Sequence, residues 1–167
     1  MRNAASMVFA ALTFLGMPQV HAQLAADDPD WKEVDAPAPP EFDLKRLVAV
    51  DVPVGGELKF GVDPATITIG KDWVVRYVLV ASSPSGNINA MYEAIRCATG
   101  EFKTYARRTG DGPWSIVLQP NWRSMQDNQP SRHAWRLAKQ GACTGRAPAS
   151  SVGEIVQSLM SPKVDNR

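Results

Sequence analysis

Thiol and imidazole are scarce in this chain of 167 residues, which holds two cysteines, Cys97 and Cys143, and two histidines, His21 and His133. So few soft ligands exclude the Cys/His sets that hold structural zinc. A Gly-x-Ser-x-Gly elbow and a phosphate-cradling glycine loop are also missing, which removes two common hydrolase and nucleotide-binding signatures. The aspartates of "DDPD", residues 27–30, lack the glycine and distal glutamate of a calcium loop and read as solvated charge. No cofactor and no metal are therefore expected. Long apolar runs are missing too. The longest, Met7 to Met17, falls short of the roughly 20 residues a membrane span needs.

What that short run does fit is a secretory signal. Arg2 precedes it, and Val20, His21 and Ala22 follow, so residues 1–22 are expected to be a signal peptide cut after Ala22. No cysteine stands at the cut to take a lipid anchor. The expectation is a soluble exported protein with no transmembrane segment after cleavage.

Charge then divides the chain. Residues 23–43, "QLAADDPDWKEVDAPAPPEFD", hold seven acids against Lys32, with four prolines, and read as an extended acidic arm. Residues 44–167 hold 16 bases and ten acids and are long enough for one domain. An arm of net −6 thus precedes a body of net +6. That asymmetry suits either an anionic partner or contact between arm and body. Nucleic acid is not an expected partner for an exported protein of balanced total charge.

Branched and aromatic runs, separated by turn clusters, predict strands near 47–52, 58–62, 66–69, 73–81, 88–97, 102–107 and 115–118. Two helices follow. Asp127 or Asn128 is read as the cap of the first, with Pro130 in its first turn and Ala134, Leu137, Ala138, Gly141 and Ala142 on one side. For the second, Ser151 and Glu154 form a capping box, and Val152, Ile155, Val156, Leu159 and Met160 form an apolar stripe before Pro162. The predicted class is α+β: a mostly antiparallel sheet of about seven short strands, in up to two layers, with two C-terminal helices packed on it.

Taking "SPSG", Ser83 to Gly86, as a four-residue hairpin loop pairs Arg76 with Glu93 across the sheet. The two are then expected to form a buried ion pair, either fixing register or flooring a cleft. The same register places Tyr77 opposite Tyr92 and gathers Tyr77, Tyr92, Arg96, Lys103, Tyr105 and Trp114 into a candidate binding surface. In an exported chain two cysteines read as one disulfide, Cys97–Cys143. Closing its loop of about 47 residues is worth roughly 4 kcal/mol on the chain-entropy account. The rival is a thiol nucleophile activated by His133, for which no third orienting group has recognisable spacing.

"VDPATITIGKDWVVRYVLVASSPSGNINAMYEAIRC", then "EFKTYA", "GPW", "NW" and a second cysteine, resembles the CNP-like family of exported proteobacterial proteins. The likeness runs from about Trp31 to Leu159, and its motif positions here are Arg76, Tyr92, Glu93, Arg96, Cys97, Lys103, Tyr105 and Trp114. Ala94 stands where the family usually has glycine, and "KQGAC" replaces a more aromatic approach to the second cysteine. The resemblance implies compartment, the Gram-negative periplasm, and lineage, not a reaction. The expected function is a non-catalytic accessory or binding protein of the cell envelope, taking an anionic envelope component or another protein. The alternative is a periplasmic hydrolase using Glu93 as acid or base beside Arg76.

Overall fold

The computed structural model describes residues 29–52, 57–128 and 131–161. The signal-peptide expectation for residues 1–22, the first residues of the arm, Pro130 and Pro162 lie outside them. Strands β1 (Val48–Val50), β2 (Lys59–Val62), β3 (Thr68–Ile69), β4 (Val74–Ser82), β5 (Ile88–Arg96), β6 (Glu101–Thr109), β7 (Ser115–Ile116) and β8 (Arg123–Ser124) form one antiparallel sheet. Its main path runs β1-β2-β4-β5-β6-β7, while β3 pairs with β4 and β8 with β6. Helix α1 (His133–Leu137), a two-stranded ribbon of β9 (Cys143–Thr144) and β10 (Ala147–Pro148), and helix α2 (Val152–Met160) follow. The architecture is α+β, mostly antiparallel sheet with two helices from the C-terminal part.

Strand β4, "VVRYVLVAS", explains the layering. Residues Val74 to Ala81 are all buried, arginine included, because both faces of the sheet are covered. One face carries Phe60, Val75, Tyr77, Leu79, Met91, Ile95 and Phe102 beneath the helices. The opposite face carries Val74, Val78, Val80, Tyr92, Ala94, Tyr105 and Ala106, and against it pack Trp31, Ala36 and Phe42 from the arm and Leu47 just after it. The sheet is therefore a central layer between helices and arm.

Helix α2 forms where its sequence signals put it. The Ser151 hydroxyl accepts from the Glu154 amide at 3.2 Å, and the Glu154 carboxylate bonds the Ser150 amide, so both bonds hold the entry turn. Ile155 and Leu159 are buried, each worth about 1.5–3 kcal/mol of transfer free energy, and Val152 and Val156 pack beside them. Met160, expected on the stripe, is instead 68% exposed at the helix end. The first helix begins later than expected, at His133 with Arg132 at its cap, and not at Asp127 or Asn128. Beyond it, residues Ala138–Ala142 widen into a π-type turn. Gly141 there has φ of 129°, and a Cβ at that position would come within 2.5 Å of Ser158 Cβ. Only glycine lets this turn lie so close to α2.

The β4–β5 loop decides the register. It spans five residues, Ser83 to Asn87, not four. The Gly86 amide donates to Ser83 O at 3.0 Å, the Ser83 amide donates to Asn87 O at 2.9 Å, and Ser82 pairs with Ile88. Gly86 takes φ of 84°, the left-handed geometry that absorbs the extra residue. One residue in the loop sends alternate side chains to opposite faces. Arg76 thus stands across from Ala94, and Glu93 across from Tyr77.

Candidate functional site

The expected Arg76–Glu93 ion pair is overturned by this register, which points the two side chains into different layers. On the helix face Glu93 is fully buried. Its carboxylate accepts from Thr104 Oγ1 at 3.0 Å and Tyr77 OH at 3.3 Å, and it meets His133 Nε2 at 2.8 Å. The imidazole lies between the Phe60 and Phe102 rings, with its Nδ1 2.7 Å from the Ser131 hydroxyl. Burial pushes the Glu93 carboxyl up, but His133 and the Thr104 hydroxyl outweigh it and hold its pKa below the usual range. For His133, burial favours the neutral ring, yet the Glu93 carboxylate prevails and raises the pKa. Burial, reinforced by the Glu93 charge, raises Tyr77 well above its ordinary value, so its phenol stays a neutral donor.

An acid–base role for Glu93 beside Arg76 has no geometry to rest on. Glu93 has no exposed surface, its lone pairs are engaged by three side chains, and its charged neighbour is His133. His133 does not activate a thiol either. Cys97 and Cys143 form the disulfide, tying the end of β5 to β9 across a Cα–Cα distance of 5.7 Å.

The arm face is where the basic and aromatic residues meet. Tyr92, Arg96, Lys103 and Tyr105 share it with Arg76, and Trp114 packs alongside. Tyr77 does not belong there: it lies under the helices with its hydroxyl on Glu93, a consequence of the same one-residue register difference. A β-bulge at Tyr92/Glu93 sets Thr104 opposite Glu93 and Ala106 opposite Tyr92. The intervening Tyr105 is thereby left to lie against Tyr92 with ring centroids 5.3 Å apart.

This surface is not open. Residues 31–34 of the arm lie over it in an extended run that alternates between half-buried Trp31 and Glu33 and exposed Lys32 and Val34. Glu33 is held by Lys103 Nζ, by Tyr105 OH at 2.5 Å and by Trp122 Nε1 at 3.1 Å, with Arg76 Nη2 at 3.9 Å. The Trp31 ring lies 3.7 Å from the Arg96 guanidinium and edge-on to Trp122, while its indole N–H donates to Asp72 O at 2.9 Å. The Val34 backbone is gripped on both sides: its N–H donates to Asp72 Oδ2 at 3.0 Å, and its carbonyl accepts from Arg76 Nη2 at 3.0 Å.

Asp72 and Arg76 are the support for that grip. Their bond is 2.7 Å long, both are buried, and Gly70 leaves the room: a Cβ there would come within 2.2 Å of Asp72 Oδ1. Burial opposes both charges. Each nevertheless favours its ionised form, Asp72 with its pKa lowered and Arg76 with its pKa raised, because each stabilises the other. Sequence reasoning missed Asp72, whose signal was the i, i+4 spacing to Arg76 across the "GKDW" turn. It missed Glu33 and Trp31 as well, since they sit in a segment with no periodic pattern to place it.

The arm has a second mooring. Asp63, fully buried, accepts from the Asp43 amide at 2.8 Å and from Arg46 Nη2 at 2.8 Å. Burial pushes the Asp63 carboxyl up, and the guanidinium and backbone donors overcome it, so its pKa is lowered. Among the described residues no group of three or more His, Cys, Asp or Glu side chains could hold a metal ion, and no helix is long and apolar enough to cross a membrane.

A family model described as the CNP1-like family matches residues 26–160, a span that includes both Trp31 and Glu33 of the arm and Leu159 of α2. The chain belongs to the CNP1-like family. No curated protein and no solved structure matches it.

Proposed function

We propose that this CNP1-like chain is an exported, non-catalytic accessory protein of the Gram-negative cell envelope that binds an anionic partner through its basic, aromatic sheet face. The observation that carries the reading is the gathering of Arg76, Arg96, Lys103, Tyr92, Tyr105 and Trp114 on one face, beneath an acidic segment. Besides the apolar packing of Trp31, Ala36 and Phe42, the cover is held by a carboxylate, an indole over a guanidinium and two backbone bonds, the vocabulary of recognition. The signal-like start and the Cys97–Cys143 disulfide support export to an oxidising compartment.

Retention of the full chain on envelope fractions at low salt tests the reading. Replacing Arg96 and Lys103 together by glutamine should release the protein from those fractions at least tenfold. Unchanged retention would sink the proposal.

A further inference from the structure

The geometry points to a built receptor for an extended peptide carrying an aromatic residue and, two positions later, a carboxylate, with the chain's own Trp31-Lys32-Glu33-Val34 as its resident occupant and an acidic segment of a partner protein as the ligand that replaces it. This deepens the reading above by naming the ligand chemistry of the same face, and rests on it.

Three separate contacts read such a segment. The carboxylate site takes donors from β6, through Lys103 and Tyr105, and from Trp122 before β8, with the Arg76 guanidinium on β4 as a longer ion-pair contact at 3.9 Å. Convergence of three parts of the chain on one carboxylate requires the folded sheet and its bulge. The aromatic site is the guanidinium of Arg96 with the edge of Trp122. Between and beyond these, Asp72 and Arg76 bond one amide and one carbonyl of the peptide backbone, at Val34, and so accept any side chain there. Lys32 and Val34 are exposed, so the pattern read is aromatic-x-carboxylate-x. The peptide lies over the sheet face and is not added as a strand, but the division of labour is that of extended-peptide recognition: backbone bonds supply affinity, and alternate side chains supply selection.

The occupant makes no regular structure of its own. Residues 31–43 belong to no strand or helix, and the arm joins no ladder of the sheet. Its bonds to the upper part of the face come from Trp31, Glu33 and the Val34 backbone. Beneath it Arg76 Nε, Arg96 Nε and Trp114 Nε1 are buried donors with no acceptor among the described residues, so a peptide richer in carboxylates or carbonyls has further groups to bond. Tethering gives the arm a high effective concentration, on the order of millimolar for a short flexible connection, so an outside peptide competes at a disadvantage until the arm is weakened.

The test uses the full chain and a fluorescein-labelled peptide of residues 29–38, PDWKEVDAPA, followed by anisotropy. Two variants open the arm by different means. Trp31→Ala with Glu33→Gln removes the side-chain anchors, and Val34→Pro removes the amide bonded by Asp72; both leave the sheet and helices unaltered. The expected result is that each opened chain binds the peptide at least tenfold more tightly than the unaltered chain does. A peptide carrying Glu33→Gln should bind the opened chains at least tenfold more weakly. Absence of peptide binding by both opened chains, or equal binding of the Gln peptide, overturns the inference. So does binding of the opened chains to anionic phospholipid vesicles in place of the peptide. Lost peptide binding with salt-sensitive envelope retention intact would overturn this ligand assignment alone. Peptide binding combined with unchanged retention of the Arg96/Lys103 variant would instead sink the envelope reading.

Discussion

The two faces of one sheet bury charge in opposite ways. Under the helices Glu93 is fully buried, and His133, Thr104 and Tyr77 satisfy it internally. Under the arm, Arg76 and Lys103 meet Glu33, a residue whose side chain is still 19% exposed and which belongs to a segment held by polar contacts together with the partly buried Trp31, Ala36 and Phe42. Removing the first cover means unfolding the core. Removing the second means exchanging one set of charge-assisted bonds for another. The difference locates the adaptable surface: a carboxylate fully buried and satisfied from within the core is a fastening, and a carboxylate at the rim of a cationic cage is a replaceable one.

The sharpest way to break this comparison is to delete each carboxylate. Glu93→Ala leaves the His133 ring and the Tyr77 hydroxyl buried without their acceptor. It should lower the unfolding free energy by about 3–5 kcal/mol in urea titration, in keeping with loss of one partner from a buried pair. If it cost as little as an exposed substitution, the helix face would not be the fixed one.

A pH series separates the faces next. His133 has a raised folded pKa, so its contribution is fully present below its unfolded value of about 6.5 and is lost as pH rises through the raised value. Glu93 has a lowered folded pKa, so its contribution is present above about 4.3 and is lost as pH falls through the lowered value. The pair therefore supports the fold most between about pH 4.3 and 6.5. Arg107 opposes the imidazolium, Tyr77 stays neutral beside it, and neither reverses the sign. Stability measured from about pH 6.5 upward should fall, and Glu93→Gln should flatten that fall. The arm face should not share it, since the Asp72–Arg76 pair, with lowered carboxyl and raised guanidinium, stays charged throughout this range.

The smallest expected effect is on the arm. Glu33→Gln should change global unfolding by no more than about 1–2 kcal/mol, the scale of one charge-assisted hydrogen bond. Tryptic cleavage after the exposed Lys32 should nonetheless speed up several-fold, and more so at high salt. Equal cleavage rates would mean that the arm is fixed as firmly as the helices.

Much of the fold is legible residue by residue. The strands from β1 to β7 lie within a residue or two of where branched and aromatic runs place them, because burial between two layers demands such runs. The cap of α2 and the pairing of the two cysteines follow from local chemistry and from number. Tyr92, Arg96, Lys103, Tyr105 and Trp114 were legible as one surface because their alternation along β5 and β6 survives the bulge. Arg76 and Glu93 were not, since their relation depends on the loop between their strands, and Asn87 can belong either to the loop or to β5. Gly86 was the available signal: a glycine closing "SSPSG" favours a turn followed by a left-handed residue, and hence the longer loop.

Taken alone, the sequence determined the α+β class, the strand positions, the disulfide and the opposition of an acidic arm to a basic body, because each depends on composition or on short-range pattern. Only the tertiary structure decided which charges meet. That choice turns on a single residue in one hairpin and on a segment without periodicity, and side chains a strand apart are sorted to one face or the other by parity, which local chemistry does not carry.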